Sequence, residues 1–397
     1  MSHSQLALLL GMTVALGPLA LDAYLPAFPT IANDLGVSHS DLALTLSAYV
    51  GILGLAQLVG GPLSDRYGRH PILLVGLTVF AASAVMISKA DSLGSLVLWR
   101  IVQGIGGAFC AVSVPAIVRD QVGGQEAARL FGLIGLIMFI APAAAPFLGA
   151  LVLIIGNWHD IFLLLAAYAI LLAFALRFAL FPRLQRRPPV NTPIHAMLTN
   201  YLRVLRHQAT MRFVGIQALC FSILLLFITH SSFIYQEWYG LSNTMFSILF
   251  AANIALMAML NLINRWFLKK YVSVELLRIQ VTLQFLSLVA LVTVVGLGGP
   301  LWLVATCIIL AVGWQGGIIP NNMANALEFF PHIGGTTAAL LGATQYTIAG
   351  GISALSTTFG GDTLLPIVTS MLICSAGAMA LALGAPQAVA PKKGAKA

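Results

Sequence analysis

Charge is what this chain has least of. Of its 397 residues only 8% are Asp, Glu, Lys or Arg, whereas 59% are hydrophobic. Soluble domains carry about 25% charged residues, so this composition excludes a water-soluble globule and points to an integral membrane protein. Acids are the rarer sign: 12 Asp and Glu stand against 20 Lys and Arg, for a net charge of +8. That excess is not read as a nucleic-acid surface. The basic residues lie in loops beside long apolar runs, where they set topology and touch anionic lipid. The four cysteines, Cys110, Cys220, Cys307 and Cys374, all fall in apolar runs with no paired spacing. They are expected to be small packing residues, not disulfides or metal ligands. The eight histidines are scattered without ligand spacing, so neither a metal site nor an enzyme is expected. The first apolar run is too long for a cleavable signal and lacks a charged segment before it, so it is expected to remain as a span. A receptor or scaffold would be expected to carry a soluble domain or long tail; the chain ends in a short APKKGAKA.

What the chain does have is apolar runs of helix-spanning length, about 20 residues for a ~30 Å hydrocarbon core. Twelve spans are predicted, at 6–29, 40–62, 71–88, 93–118, 130–155, 160–181, 213–236, 244–264, 273–296, 301–324, 336–358 and 362–383. The longest polar interruption carries Arg183, Arg186, Arg187, Arg203, Arg206 and Arg212 and no acid. It divides the chain into a six-span bundle (1–181), a basic linker (182–212), a second bundle (213–384) and a tail (385–397). By the positive-inside bias the linker is cytoplasmic, and both termini with it. The other loops agree. Arg66 and Arg69, Arg119 and Arg129, Arg265, Lys269 and Lys270, and the tail's Lys392, Lys393 and Lys396 fall on the inner side. Asp34, Asp41, Asp91, Asp160, Glu237 and Asp362 fall on the outer side. Eighteen of the twenty basic residues sort inward; the exceptions are Lys89, in an outer loop, and Arg100, inside a span. An even number of spans, a central basic loop and two similar halves predict an internally repeated transporter. Asn264-Arg265 with Lys269 after span eight faintly echoes Asp65-Arg66 with Arg69 after span two.

Asp22 is the one acid well inside a span. Asp22 and Arg100 are each placed roughly 10 Å below the outer boundary at the helical rise of 1.5 Å per residue. A buried acid and base at one depth could pair or share a hydrogen-bond network, and an acid in a low-dielectric cavity can load and release a proton near neutral pH. Ionisable residues within spans are functional candidates by default. His230 lies at similar depth and is a further candidate, although a bond to a neighbouring helix is the commoner reason for such a histidine. Polar and aromatic residues within spans that could line a substrate cavity are Tyr49, Gln103, Phe139, Asn253, Trp314, Gln315, Gln345 and Tyr346. Prolines and glycines recur inside spans, as at Gly17-Pro18, Pro26, Pro115 and Pro320, and mark bends and close helix approach. Between spans two and three runs GPLSDRYGRHP, residues 61–71. Gly61 and Gly68 permit a tight corner. Asp65, Arg66 and Arg69 form a charge cluster suited to a latch that closes in one conformation and opens in another.

That loop resembles the signature between spans two and three of the major facilitator superfamily, with His70 where Lys or Arg is usual. WRIVQGIGGAF (99–109) resembles the superfamily's span-four signature built around a buried Arg. APAAAPFLGA (141–150) resembles the span-five antiporter signature, with Ala145 and Ala150 where Gly is preferred. LDAYLPAFP (21–29) and LEFFPHIGGTTAALLG (327–342) are similar to the Bcr/CflA group of twelve-span drug:proton antiporters. The resemblance covers the whole chain. It implies an all-α membrane fold of two six-helix bundles around a central cavity, alternating between inward- and outward-open states. By position it implies Asp22 as the proton-carrying acid, with Arg100 as the base coupled to it. It also implies a cytoplasmic latch of Asp65, Arg69 and Asp120, in which Asp65 faces the amino end of span eleven, and a flexible span five shaped by Pro142, Pro146 and Gly149. A second acid carried by some related exporters is absent, Val14 and Ala15 standing there; a single acid fits exchange of one proton for a neutral or weakly charged molecule.

The expected function is therefore proton-driven efflux of small amphipathic compounds, chloramphenicol-like or bicyclomycin-like, across a bacterial inner membrane. The alternative is proton-coupled uptake of a metabolite such as a nucleoside. Expected partners are the small-molecule substrate, protons and the lipid bilayer, without nucleic acid. No cofactor is expected beyond the proton gradient, and a monomer suffices.

Overall fold

The computed structural model describes residues 3–122, 124–184, 194–330, 333–358 and 363–386. Arg186, Arg187, Pro331, His332, Asp362, Lys392, Lys393 and Lys396 lie outside the described residues. Within them every regular element is helical. The spans are α1 (Gln5–Leu35), α2 (His39–Tyr67), α3 (Arg69–Ile87), α4 (Leu93–Gln121), α5 (Arg129–Ile155), α6 (Trp158–Arg183), α7 (Gln208–Trp238), α8 (Asn243–Phe267), α9 (Ser273–Gly296), α10 (Leu301–Glu328), α11 (Gly334–Thr358) and α12 (Leu365–Leu383). All but α11 have the length and apolarity to cross a bilayer; α11 is 25 residues long but rich in Gly, Thr and Ser. Side-chain caps start several spans. Ser38 and Asp41 form a capping box on α2, Asn157 and Asp160 one on α6, and Ser92 and Ser242 cap α4 and α8. These caps satisfy amide donors that a helix start leaves unpaired. The corner between α2 and α3 turns at Gly68, whose φ of +95° no other residue adopts cheaply.

The structure corrects the predicted elements in four places. Span one is not one helix. It ends at Asp22, passes through a 3-10 turn at Leu25–Ala27 and resumes as Phe28–Leu35. Pro26 and Pro29 lack the amide hydrogens a continuous helix would use there. Span ten breaks at Trp314 between Leu301–Gly313 and Gln315–Glu328. Spans six and seven widen into π-helical turns at Ala175–Leu180 and Phe233–Trp238. The linker, for which the sequence predicts no element, contains a helix at Ile194–Leu205, and the α7 helix starts at Gln208, inside the predicted linker. The linker's many arginines mask an amphipathic pattern in which Tyr201 and Val204 lie on the more buried side and Arg203 on the exposed one.

Within the first half α1 packs on α5, α3 on α6, and α4 between α2 and α3; α7 packs on α11 and α12, α9 on α10 and α12. The halves meet along two helix pairs, α2 with α11 and α5 with α8. Each pair joins the second span of one half to the fifth span of the other, as a repeated architecture requires.

The α2–α11 crossing is backbone against backbone. A Cβ on Gly350 would lie 2.6 Å from the Gly51 backbone, and one on Gly54 would lie 2.6 Å from the Thr347 amide. Beside it Ser47 donates to Ser353 Oγ at 2.9 Å, which also bonds Thr229 of α7 at 2.9 Å. At the same end of the molecule His39 of α2 meets Glu237 of α7 at 2.8 Å, and Gln236 donates to the Pro26 carbonyl at 3.3 Å. The His39 ring lies between Phe28 and Phe233. This end of the interface is closed. Cysteines at Ser47 and Ser353 are therefore expected to cross-link on mild oxidation, read as a mobility shift on gels. Gly350→Val is expected to reduce that cross-linking strongly; equal cross-linking in both backgrounds would contradict the close crossing.

Candidate functional site

The site is built where three first-half helices converge. Gly104 lets α4 approach α2, since a Cβ there would lie 2.6 Å from the Tyr49 carbonyl. One turn earlier Arg100 enters a fully buried position. Its Nη1 donates to Gln103 Oε1 at 2.6 Å and its Nη2 to Tyr24 Oη at 3.1 Å. The guanidinium lies 4.6 Å from the ring centres of both Tyr24 and Tyr49, and 6.0 Å from that of Phe162. Desolvated cation–π contacts reach about 2 kcal/mol, so the rings partly offset the cost of burying a charge. Tyr24 is held by a 2.9 Å bond to Thr45.

Asp22 is the last residue of the first α1 helix and is 2% exposed. Its Oδ1 has no hydrogen-bond partner among the described residues, nor do Arg100 Nε, Gln103 Nε2 or Tyr49 Oη. The direct Asp22–Arg100 ion pair that similar depth suggested is not among the ion pairs found between described residues. Arg100 is held instead by Tyr24, two residues beyond Asp22. Sequence reasoning missed Tyr24, Thr45 and Phe162. The signal for Tyr24 was its place two residues after Asp22 in LDAYLPAFP and two before a proline. Gly149 of α5 backs this break: its α-carbon sits against the Ala23 carbonyl, where any Cβ would collide. Pro142 and Pro146 lie within the same uninterrupted helix, Pro146 buried and Pro142 half-buried.

The other candidate residues separate into groups. Tyr49 and Gln103 join Arg100. His230 is buried and bonds Ser356 of α11 at 2.9 Å, a tie between neighbouring helices. Gln345 accepts from Gln217 at 2.6 Å, and Asn322 donates to Gln217 at 2.9 Å, linking α7, α10 and α11. Gln315 donates to the Cys220 carbonyl at 2.5 Å, and Tyr346 packs edge-on to Phe221. Asn253 bonds back to Leu249 in its own helix at 2.8 Å. Trp314 lies at the α10 break with Nε1 unpartnered among the described residues, and Phe139 is half-buried on α5. Among the described residues no three His, Cys, Asp or Glu side chains gather as a metal site would require.

At the arginine-rich end, Arg69 pairs with Asp65 and donates through Nε to Asp120 at 3.3 Å and through Nη1 to Ser64 at 3.4 Å. Arg66 is exposed beside Tyr67, and Gly61 has open space around it. Arg119 reaches the amino end of α11, its Nη1 lying 3.6 Å from where a Gly335 Cβ would be. Asp65 also neighbours the linker helix; burial first, and then the Asp65 carboxylate, push the Tyr201 phenol above its ordinary pKa. The second half ties the corresponding helix ends with amides. Asn264 and Asn321 exchange bonds of 3.1 and 2.8 Å, and Gln280 joins both at 2.9 and 3.0 Å. The tight seat of Gly149 gives an expectation. Gly149→Ala should destabilise the protein by about 1–3 kcal/mol, read as a lower Tm in detergent, whereas Gly132→Ala on the same helix, in open space, should not.

With this geometry in hand, comparison with known proteins is specific. The model of the Major Facilitator Superfamily matches residues 10–354. A bicyclomycin resistance protein homolog of Haemophilus influenzae is 30% identical over 368 residues, covering 92% of each chain. A chloramphenicol resistance protein of Pseudomonas aeruginosa is 32% identical over 364 residues, covering 88% of this chain and 82% of its own. Among solved structures, a D-xylose–proton symporter superposes with a TM-score of 0.77 at 14% identity, covering 96% of this chain and 95% of its own. A nucleoside transporter superposes with a TM-score of 0.75 at 14% identity, covering 96% and 98%. At that identity the two structures speak for the fold alone. Helix pairing, signature residues and similarity along almost the whole length agree: this chain is a multi-pass bacterial membrane protein belonging to the major facilitator superfamily.

Proposed function

We propose that the protein exports small amphipathic molecules, chloramphenicol-like or bicyclomycin-like, in exchange for protons. The observation that carries this reading is Asp22, a buried carboxyl group with an unpartnered oxygen at a helix break. A carboxyl so placed is either neutral or in need of a counter-charge. The counter-charge in this reading is Arg100, which bonds Tyr24, two residues beyond Asp22. Losing the proton makes Asp22 attract Arg100, and regaining it releases that attraction. The broken α1 supplies backbone freedom for the two arrangements, and its contact with Gly149 passes a shift at Asp22 to α5, which meets the second half at α8. The names of the resistance relatives support drug-like cargo and the outward direction.

In this reading the basic end is cytoplasmic, both termini lie inside and the His39–Glu237 end is external. The closed conformation at that end is then the one that receives cargo from within. Ligand-driven switching follows only if drug and proton favour different conformations. In this reading two largely buried polar clusters would rearrange with cargo, the aromatic and amide groups around Arg100 in one half and the Gln217–Gln345–Asn322 chain in the other.

The test is proton movement in inside-out vesicles, followed with a pH-sensitive dye as chloramphenicol, bicyclomycin or a nucleoside is added. The wild-type chain should release lumenal protons on addition of an antibiotic. Asp22→Asn should abolish the response while the protein remains in the membrane. Uphill antibiotic transport retained in that variant would sink the proposal, and a nucleoside response of opposite sign would replace it with symport. Arg100→Lys should also lose most activity, because an ammonium cannot keep the forked bonds to Gln103 and Tyr24 between two aromatic faces; wild-type transport there would contradict the coupling role.

A further inference from the structure

The transport reading leaves one built feature unused, a pocket on the linker. An open surface pocket of about 420 Å³ is lined by Thr199, Leu202, Arg203, Arg206, His207 and Phe330, within the ~300–1,000 Å³ range of small-ligand sites. Its lining holds two guanidinium groups and an imidazole and no acid. Arg203 and Arg206 are exposed and form no ion pair among the described residues. The Thr210 amide donates to His207 Nδ1 at 3.3 Å, which leaves Nε2 as the ring's hydrogen-bearing nitrogen. That ring is braced by Phe329 and Phe330, each 5.2 Å away.

Two further facts identify the occupant. The linker helix follows α6, which ends at Arg183, and precedes α7, which starts at Gln208; in the transport reading that puts it where the spans leave the bilayer. Leu202 and Leu205 on it are 45% and 44% exposed. An amphipathic helix with exposed leucines beside unpaired arginines is suited to the lipid–water boundary. Basic pockets at that level attract anionic headgroups, and guanidinium forks match phosphate oxygens. Leu202 and Phe330 add an apolar wall for the glycerol end of the same lipid.

We propose that this pocket binds the phosphate headgroup of an anionic phospholipid. The bound lipid fastens the linker helix to the end of α10, since Phe330 follows that span while the arginines belong to the linker. Asp65 of the first-half latch lies close enough to act on Tyr201 of the same helix. The headgroup therefore sits on the connection between the two halves and favours the arrangement in which linker, latch and α10 are together.

The experiment uses the purified full chain in bilayer discs of phosphatidylcholine, alone or mixed with phosphatidylglycerol, and native mass spectrometry of the lipid retained after gentle extraction. Wild-type chain from mixed discs should retain phosphatidylglycerol in preference to phosphatidylcholine. Arg203→Gln with Arg206→Gln should weaken that retention about 30-fold, the product of two near-surface charges. Arg203→Lys with Arg206→Lys should keep a large part of it. Should the glutamine variant fail to elute as a single species, Leu202→Glu, on an exposed position, carries the same expected loss. Equal retention by wild type and the glutamine variant, or by wild type and Leu202→Glu, overturns the proposal. Complete displacement of the retained phosphatidylglycerol by millimolar inorganic phosphate overturns the lipid assignment in favour of a free-phosphate site, and complete displacement by an acidic peptide overturns it in favour of a protein partner. Lipid retention is measured without cargo or gradient, so its failure is distinct from failure of the transport reading.

Discussion

A guanidinium buried without a carboxylate bonded to it is the constraint around which the first half is arranged. Removing an ion from water costs several kcal/mol even after relaxation, and the surroundings of Arg100 offset that with groups chosen for it. Gln103 and Tyr24 accept its hydrogen bonds, and two tyrosine faces lie 4.6 Å from it. Each of these is fixed in turn. Tyr24 is tied to Thr45, Tyr49 is brought near by Gly104, and the break holding Tyr24 is backed by Gly149. The demand of one charged side chain thus accounts for residues on α1, α2, α4 and α5. An uncharged residue in the same place would need none of these supports.

The two halves solve one packing problem with different chemistry. Where α2, α3 and α4 end, the fastening is ionic, Arg69 with Asp65 and Asp120. Where α8, α9 and α10 correspond, it is a set of buried amides, Asn264, Asn321 and Gln280. Of the ionic contacts, the Arg69–Asp65 pair is partly exposed and open to loosening by water and salt. Buried amides with every bond made are not, because opening them leaves polar groups stranded. In the transport reading this difference would let the first half open at that corner while the second stays together.

Much of this was legible in the sequence, for a physical reason. Bilayers impose length, apolarity and charge placement on each span, and those can be counted without structure. Span number, the ends of most helices, and the singular status of Asp22 and Arg100 followed from that. The Asp65–Arg69–Asp120 cluster came from family resemblance, and the structure brings those side chains together. What escaped was decided by contacts between distant segments. The ligation of Arg100 by Tyr24 depends on how α1 turns after Asp22, and the tie of His39 to Glu237 joins residues 198 positions apart. The breaks in α1 and α10 escaped for another reason: prolines and glycines within a span announce irregularity, but whether the helix bends, widens or stops is set by what packs there. The linker helix was hidden by its own arginines.

The composition of α11 has a consequence for how the protein is made. Its Gly, Thr and Ser content leaves it less apolar than the eleven other spans, whereas α12 after it is strongly apolar. Insertion machinery sorts segments one at a time by their affinity for hydrocarbon. A helix of this kind has to wait for company, entering with α12 or sheltering against α7 and α2, the helices it contacts in the finished molecule. The same small residues that allow two backbones to touch at Gly51 and Gly350 thus leave α11 dependent on its neighbours for its place among the spans.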